Sequence, residues 1–322
     1  MLAALFSLSA VSFDMADAAP LDTVSNWAYQ LQEIDLSTLA SSPYDLLVID
    51  YSSEGSADSE FSSSDIQALK DTGKIVVAYM SIGEAEDYRF YFKDRWVDDS
   101  NKGACGVSLS TRAPGWLDNP NPDFCGNYKT KFWKRRWQRI IFGNETRSSK
   151  SYLNRIVAAG FDGVYLDIID GYEYWLQKPK SKRRSSAASD MANFVQAIAQ
   201  HARETLGRTD FVVIPQNGSG ILDQLGAAER PAYLNAIDGI GAEDTYYFGD
   251  EDENNELQVQ EEARAALLQF VAAGKIVFAV DYLTEQSKIE DFSNRACADG
   301  FIPQVARREL ADLETQQLLS CD

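Results

Sequence analysis

One histidine, His201, stands in 322 residues. That scarcity weighs against a Ser-His-Asp triad and a histidine-rich zinc site, both of which need imidazole. His201 falls in the helical run 191–206, where packing is role enough. Cations are in deficit too: 30 Lys and Arg face 49 Asp and Glu, a formal net charge of −19. A field of that sign repels phosphate backbones and argues against nucleic acid as a partner. The basic stretch 178–184 (KPKSKRR) is the exception; its Pro and Ser neighbours read as a solvated loop. No apolar run reaches the roughly 18 residues of a membrane span. No G-x-G-x-x-G or G-x-x-x-x-G-K-[ST] follows a strand, so the dinucleotide and P-loop cradles are missing. The motifs call for no metal and no cofactor. Chemistry falls to carboxylates, tyrosines and backbone.

The four cysteines, Cys105, Cys125, Cys297 and Cys321, include no C-x-x-C spacing. Four allow three pairings; the local ones, 105 with 125 and 297 with 321, are favoured. Residues 2–13 form an apolar stretch, and Ala16-Asp17-Ala18 fits a small-x-small cleavage site. Residues 1–18 therefore read as a signal peptide lacking its positive start. Asn144-Glu145-Thr146 and Asn217-Gly218-Ser219 are glycosylation sequons. Together these features predict a secreted, extracellular protein, with one domain over 19–322 and a monomeric state.

Apolar, β-branched runs recur at 27–31, 45–51, 75–81, 163–167, 211–216, 239–243, 276–280 and 301–303. Helical periodicity lies between them, at 63–72, 151–159, 191–206 and 256–273, and again at 306–319. Alternating strand and helix implies a parallel sheet. Eight strands predict an α/β fold of one (β/α)8 TIM barrel. The largest insertion, 84–149, follows the third strand and reads as an extended loop over one barrel mouth.

In such barrels the working residues sit at the C-terminal ends of the strands. Those ends carry Asp50 and Tyr51; Ser81, Glu84, Glu86 and Arg89; Asp167, Asp170 and Tyr172; Gln216 and Asn217; Glu243, Asp244 and Tyr246; Asp281 and Tyr282. One acid at a strand end often caps the next helix. Acids at five of eight ends instead suggest a shared pocket, where carboxylates raise one another's pKa. One protonated and one ionised acid is what glycoside hydrolysis uses. Asp167 and Glu243 are the strongest candidates, because each ends an apolar strand before an irregular, aromatic-rich segment. Asp50, Tyr51, Ser81, Glu84, Asp170, Asn217, Tyr246 and Asp281 are candidates for holding substrate. Two other readings use the same residues. One is a non-catalytic carbohydrate-binding barrel. The other is a metal-dependent hydrolase with Asp50, Asp167 and Asp281 as oxygen ligands.

At these motifs the chain resembles glycoside hydrolase family 114, the endo-α-1,4-polygalactosaminidase-like barrels. The matching pieces include 48–52 (VIDYS), 77–89 (VAYMSIGEAEDYR), 160–172 (GFDGVYLDIIDGY), 216–218 (QNG), 239–247 (GIGAEDTYY) and 275–282 (KIVFAVDY). The resemblance implies a (β/α)8 barrel, an extracellular site of action and hydrolysis of α-1,4-linked galactosamine polymers. It also implies that Asp167 and Glu243 are the catalytic pair. An acidic cleft independently suits an amino-sugar polymer, because carboxylates attract ammonium groups.

Overall fold

The computed structural model describes residues 20–98, 105–143, 145–146, 149–313 and 316–321. The leader 1–18 and the sequon residue Asn144 lie outside the described residues. Eight parallel strands form the centre: β1 (Trp27–Gln30), β2 (Leu46–Ile49), β3 (Ile75–Ser81), β4 (Gly163–Asp167), β5 (Val212–Pro215), β6 (Gly239–Glu243), β7 (Ile276–Asp281) and β8 (Ile302–Val305). They hydrogen-bond as two parallel runs, β1 to β5 and β6 to β8. Each falls within one residue of an apolar run read from the sequence, or overlaps it.

The two runs meet at two seams. Between β5 and β6, the Asn217 N–H donates to the Gly241 carbonyl at 2.8 Å and the Asp238 N–H to the Val213 carbonyl at 2.9 Å. Between β8 and β1 a side chain takes the place of a ladder. The Gln316 amide donates to the Tyr29 carbonyl at 2.8 Å and accepts from the Tyr29 N–H at 3.3 Å. Gln304 bonds the same Gln316 oxygen from the β8 side.

That seam explains one departure from expectation. Of the expected helix 306–319, the described residues 306–313 and 316–319 are not helical; they form an irregular strap. Its Leu310 carbonyl accepts from the Leu31 and Gln32 N–H groups at 2.9 and 3.0 Å. Backbone and side-chain groups that a helix would turn inward satisfy the edge of β1 instead. The helix in this region lies earlier, at Gln286–Ala298, where Ile289, Phe292 and Ala296 bury one face at i, i+3 and i+7. The Cys297–Cys321 disulfide ties the strap to that helix.

Strand alternation sorts the core into two layers. Trp27, Tyr29, Val48, Tyr79, Tyr165 and Phe278 fill the barrel interior. Leu47, Ile49, Ala78, Val164, Val277 and Ala279 face the helices outside. The interior is rich in rings: Tyr29 and Tyr165 centroids lie 5.3 Å apart, Trp27 and Phe278 5.4 Å. Gly241 makes room for them, since a Cβ there would sit 1.8 Å from the Tyr165 hydroxyl.

The insertion after β3 is more ordered than a loop. Glu84–Glu86, Leu117–Pro120 and Asn127–Thr130 form an antiparallel sheet. Trp116 packs against Trp96 and Trp137 at 5.3 and 4.8 Å, and the Trp137 indole N–H donates to the Ile82 carbonyl at 2.8 Å. Cys105 and Cys125 are bonded within it. Both disulfides are thus the local ones, and they fit export into an oxidising compartment. His201 packs on Phe142 and bonds Asn154 at 3.1 Å, a packing role. Among the described residues no helix is long and apolar enough to cross a membrane.

Candidate active site

Asp167 ends β4 and Glu243 ends β6, with β5 between them. Asp167 shares the inward phase of Tyr165, two residues earlier; Glu243 shares that of Gly241. Each acid is held by a tyrosine hydroxyl. Tyr79 donates to Asp167 Oδ2 at 2.5 Å, and the Ile168 N–H donates to Oδ1 at 2.7 Å. Tyr282 donates to Glu243 Oε1. Asn217 grips Glu243 twice: its amide donates to Oε2 at 2.8 Å, and its oxygen accepts the Glu243 N–H at 3.1 Å. Burial, and then the Glu243 charge, push the Asp167 carboxyl well above the usual carboxylate range. Tyr29 and Tyr165 beneath are raised by burial and then by the same two carboxylates. The two carboxylates thus lie near enough to feel each other's charge, and the ring layer feels both.

The backbone is strained around this pair. Ile168, Asn217 and Asp244 have φ of 58°, 61° and 52°. Two of them directly follow the acids, and the third grips Glu243. A left-handed conformation is uncommon for any side chain and costly for a β-branched one. Gly83 accommodates the turn at Ile168: a Cβ there would lie 2.1 Å from the Ile168 carbonyl oxygen. Asp244 is anchored by a two-point ion pair with Arg308 at 2.9 and 3.0 Å. The same guanidinium lies 3.6 Å from the Tyr282 ring centre.

Glu243 and Asn217 open onto a cleft of about 760 Å³. Its walls carry four further acids, Asp170, Glu173, Asp223 and Glu262, and no lysine or arginine among the described residues. Phe248 presents an exposed ring at one wall. Enclosure by the surrounding protein, then the Glu173 charge, push the Asp170 carboxyl up to about 6. The cleft can thus hold a cationic, sugar-sized ligand.

Asp170 and Asn217 line the cleft; the other expected binding residues have other partners. Asp50 is buried against Arg89, with contacts of 2.7 and 2.9 Å. Glu84 is buried between Lys129 at 2.6 Å and Asn121 at 3.0 Å. Ser81 is buried and donates to the Glu84 carbonyl at 3.2 Å. Tyr51 and Tyr246 belong to the outer core layer, and the Tyr246 hydroxyl donates to Asp299 at 2.6 Å. Asp281 accepts the N–H groups of Thr245, Tyr246 and Tyr247 at 3.0, 3.1 and 2.8 Å. Asp50, Asp167 and Asp281 thus belong to separate networks, which corrects the reading of them as one oxygen site for a metal. The site residues absent from the sequence reading are Tyr79, Tyr165 and Arg308, with Tyr29 at the base. The signal for the first two was alternation: each sits two residues before a strand-end polar group.

The profile of glycoside-hydrolase family GH114 matches residues 10–321. The chain belongs to this family. An uncharacterized protein of Methanocaldococcus jannaschii is 37% identical over 299 residues, covering 90% of this chain and 78% of that one. An uncharacterized protein of Thermotoga maritima is 36% identical over 321 residues, covering 96% and 89%. Among solved structures, the glycoside hydrolase domain of PelA from Pseudomonas aeruginosa superposes with a TM-score of 0.59. That match covers 92% of this chain and 98% of that domain at 16% identity, a likeness of fold. Membership in GH114 makes the chain a glycosidase on a TIM-barrel-like scaffold, and its site is to be read in those terms.

Proposed function

We propose that this GH114 protein is a secreted, monomeric, endo-acting glycosidase that cleaves α-1,4-linked galactosamine polymers with retention. Asp167 is the nucleophile and Glu243 the acid and base. The observation that carries this reading is the pairing itself. Two acids close strands on either side of β5, each gripped by a tyrosine hydroxyl, and the charge on one raises the proton affinity of the other.

The steps follow from the partners. Tyr79 and Ile168 both donate to Asp167, and both bonds favour its ionised form. Burial and the Glu243 charge oppose ionisation of Asp167. An ammonium group in the acidic cleft shifts the balance toward ionised Asp167. Asp167 then bonds to the anomeric carbon as the bond to the leaving oxygen breaks, and Glu243 gives that oxygen its proton. Glu243 next takes a proton from water, which displaces Asp167 and restores the enzyme. Glu243 faces the cleft, where the leaving part of the polymer has room. Asn217 positions Glu243, and its amide is engaged there rather than free to carry a glycan. The apolar leader and the paired cysteines support secretion.

The test is a reducing-end assay on deacetylated α-1,4-galactosamine oligomers, with the product anomer followed by NMR. The wild type is expected to release α-configured ends, and Asp167→Asn and Glu243→Gln to release them about 10³-fold more slowly or worse while staying folded. Unchanged turnover in both variants overturns the assignment. Tight binding without product supports the carbohydrate-binding barrel instead.

A further inference from the structure

The stretch 178–184 is an irregular, largely exposed turn, as its composition suggests, and it has a defined course. Its chain folds back: the Arg184 N–H donates to the Trp175 carbonyl at 3.1 Å, and the Lys182 N–H to the Pro179 carbonyl at 2.7 Å. Arg184 lies 5.1 Å from the Trp133 ring centre and is clamped by Asp190 at 2.7 Å. The result is a second pocket, of about 490 Å³, walled by Lys131, Lys134, Lys178, Lys182, Trp133 and Trp175. Helix Gly171–Gln177 divides it from the acidic cleft: Tyr172, Glu173 and Leu176 line the cleft, and Trp175 lines the pocket.

The charge here is opposite to that of the whole chain. Four lysines surround the pocket and one carboxylate, Asp118, answers them, 2.7 Å from Lys131. Lys178 bonds the Tyr174 hydroxyl and lies 3.8 Å from the ring centre. Lys134 and Lys182 are exposed and make no ion pair or side-chain hydrogen bond among the described residues. They come from separate segments, one in the insertion and one after the helix. Like charges lining one pocket repel, and Asp118 pairs with only one of the four lysines. An anion would offset the rest. Indole walls add a surface for the apolar face of a ring. Lysine supplies mobile point charges, suited to carboxylate or sulfate without a fixed planar fork.

We propose that this pocket is a second glycan site, selective for an acidic sugar bearing a carboxylate or a sulfate. It does not depend on the catalytic assignment, because neither its residues nor its charge involve Asp167 or Glu243. The test is calorimetric titration of the full chain at low salt with digalacturonic acid, a monosulfated galactose disaccharide, neutral galactobiose and inorganic phosphate. At least one acidic disaccharide is expected to bind at least tenfold more tightly than galactobiose and phosphate, and which one binds identifies the anion. The double variant Lys134→Ala/Lys182→Ala, altered only at exposed side chains, is expected to lose at least tenfold in that affinity with an unchanged melting temperature. Trp133→Ala is expected to weaken the same ligand, and Asp167→Asn to leave it unchanged. Equal binding of galactobiose, equal binding of phosphate, or full affinity in the double variant overturns the proposal.

Discussion

Asp281 and Glu243 look alike in the sequence. Each closes an apolar strand, and each is followed within three residues by tyrosine. In the structure they do opposite work. On β7, Phe278 and Val280 point into the barrel, as does Tyr282 just past its end, whereas Val277 and Ala279 point out. Asp281 falls on the outward phase, is fully buried, and pins the loop 245–247 through three N–H groups. Tyr282 takes the inward place and reaches Glu243. Glu243 falls on the inward phase of β6 and opens onto the cleft. Alternation phase, rather than residue type, separates the pin from the acid.

The sharpest way to break this contrast is to neutralise each acid. Glu243→Gln and Asp167→Asn are expected to lose about 10³- to 10⁴-fold in kcat, the range of a lost acid, base or nucleophile. Their denaturation midpoints should stay close to wild type. Asp281→Ala should do the reverse. It orphans three buried N–H groups and is expected to lose about 3 kcal/mol or more in urea unfolding. The molecules that stay folded should keep most of their turnover. A large kcat loss with normal stability in Asp281→Ala would erase the distinction.

The pH dependence of stability sharpens it further. Burial pushes Asp281 up to about 7 against the pull of its three donors. The folded chain therefore holds this proton more tightly than the unfolded chain. That stabilisation is fully present below about pH 4, the unfolded value, and is lost as pH rises toward 7. Urea unfolding should show stability falling across that window, by at most about 4 kcal/mol from this group. Asp281→Asn should flatten the slope, and an unchanged slope would remove Asp281 as its cause.

The smallest effect belongs to the hydroxyls. Tyr79→Phe is expected to lower kcat by about tenfold, the worth of one hydrogen bond to a charged group. It removes a donor that favours ionised Asp167, so the acidic limb of the kcat/KM profile should move to higher pH. A rate loss without that movement would make Tyr79 a packing residue only.

Much of the scaffold was legible because short apolar runs and turn residues recur eight times, and because acids stand where those runs stop. The C-terminal strap was not. Its residues have helical spacing, and only the open edge of β1, which no local pattern announces, draws Leu310 and Gln316 away from a helix. The site was half legible. Asp167 and Glu243 showed as acids at strand ends, while Asp50 and Glu84 looked the same and are neutralised by Arg89 and Lys129 from the insertion. Those partners are 39 and 45 residues away in the chain, so composition around each acid carried no sign of them. The tyrosine layer was hidden differently. Tyr79 and Tyr165 lie inside apolar strand runs and are buried in the barrel interior, where Tyr79 donates to Asp167.

The most direct measurement of the paired-acid account is mass mapping of a trapped intermediate. Glu243→Gln protein, which lacks the base for the second step, is incubated with 5-fluoro-α-galactosaminyl fluoride and digested. The account predicts one sugar attached to the peptide that contains Asp167. A sugar on another carboxylate, or active wild-type enzyme whose variant never carries one, would contradict it.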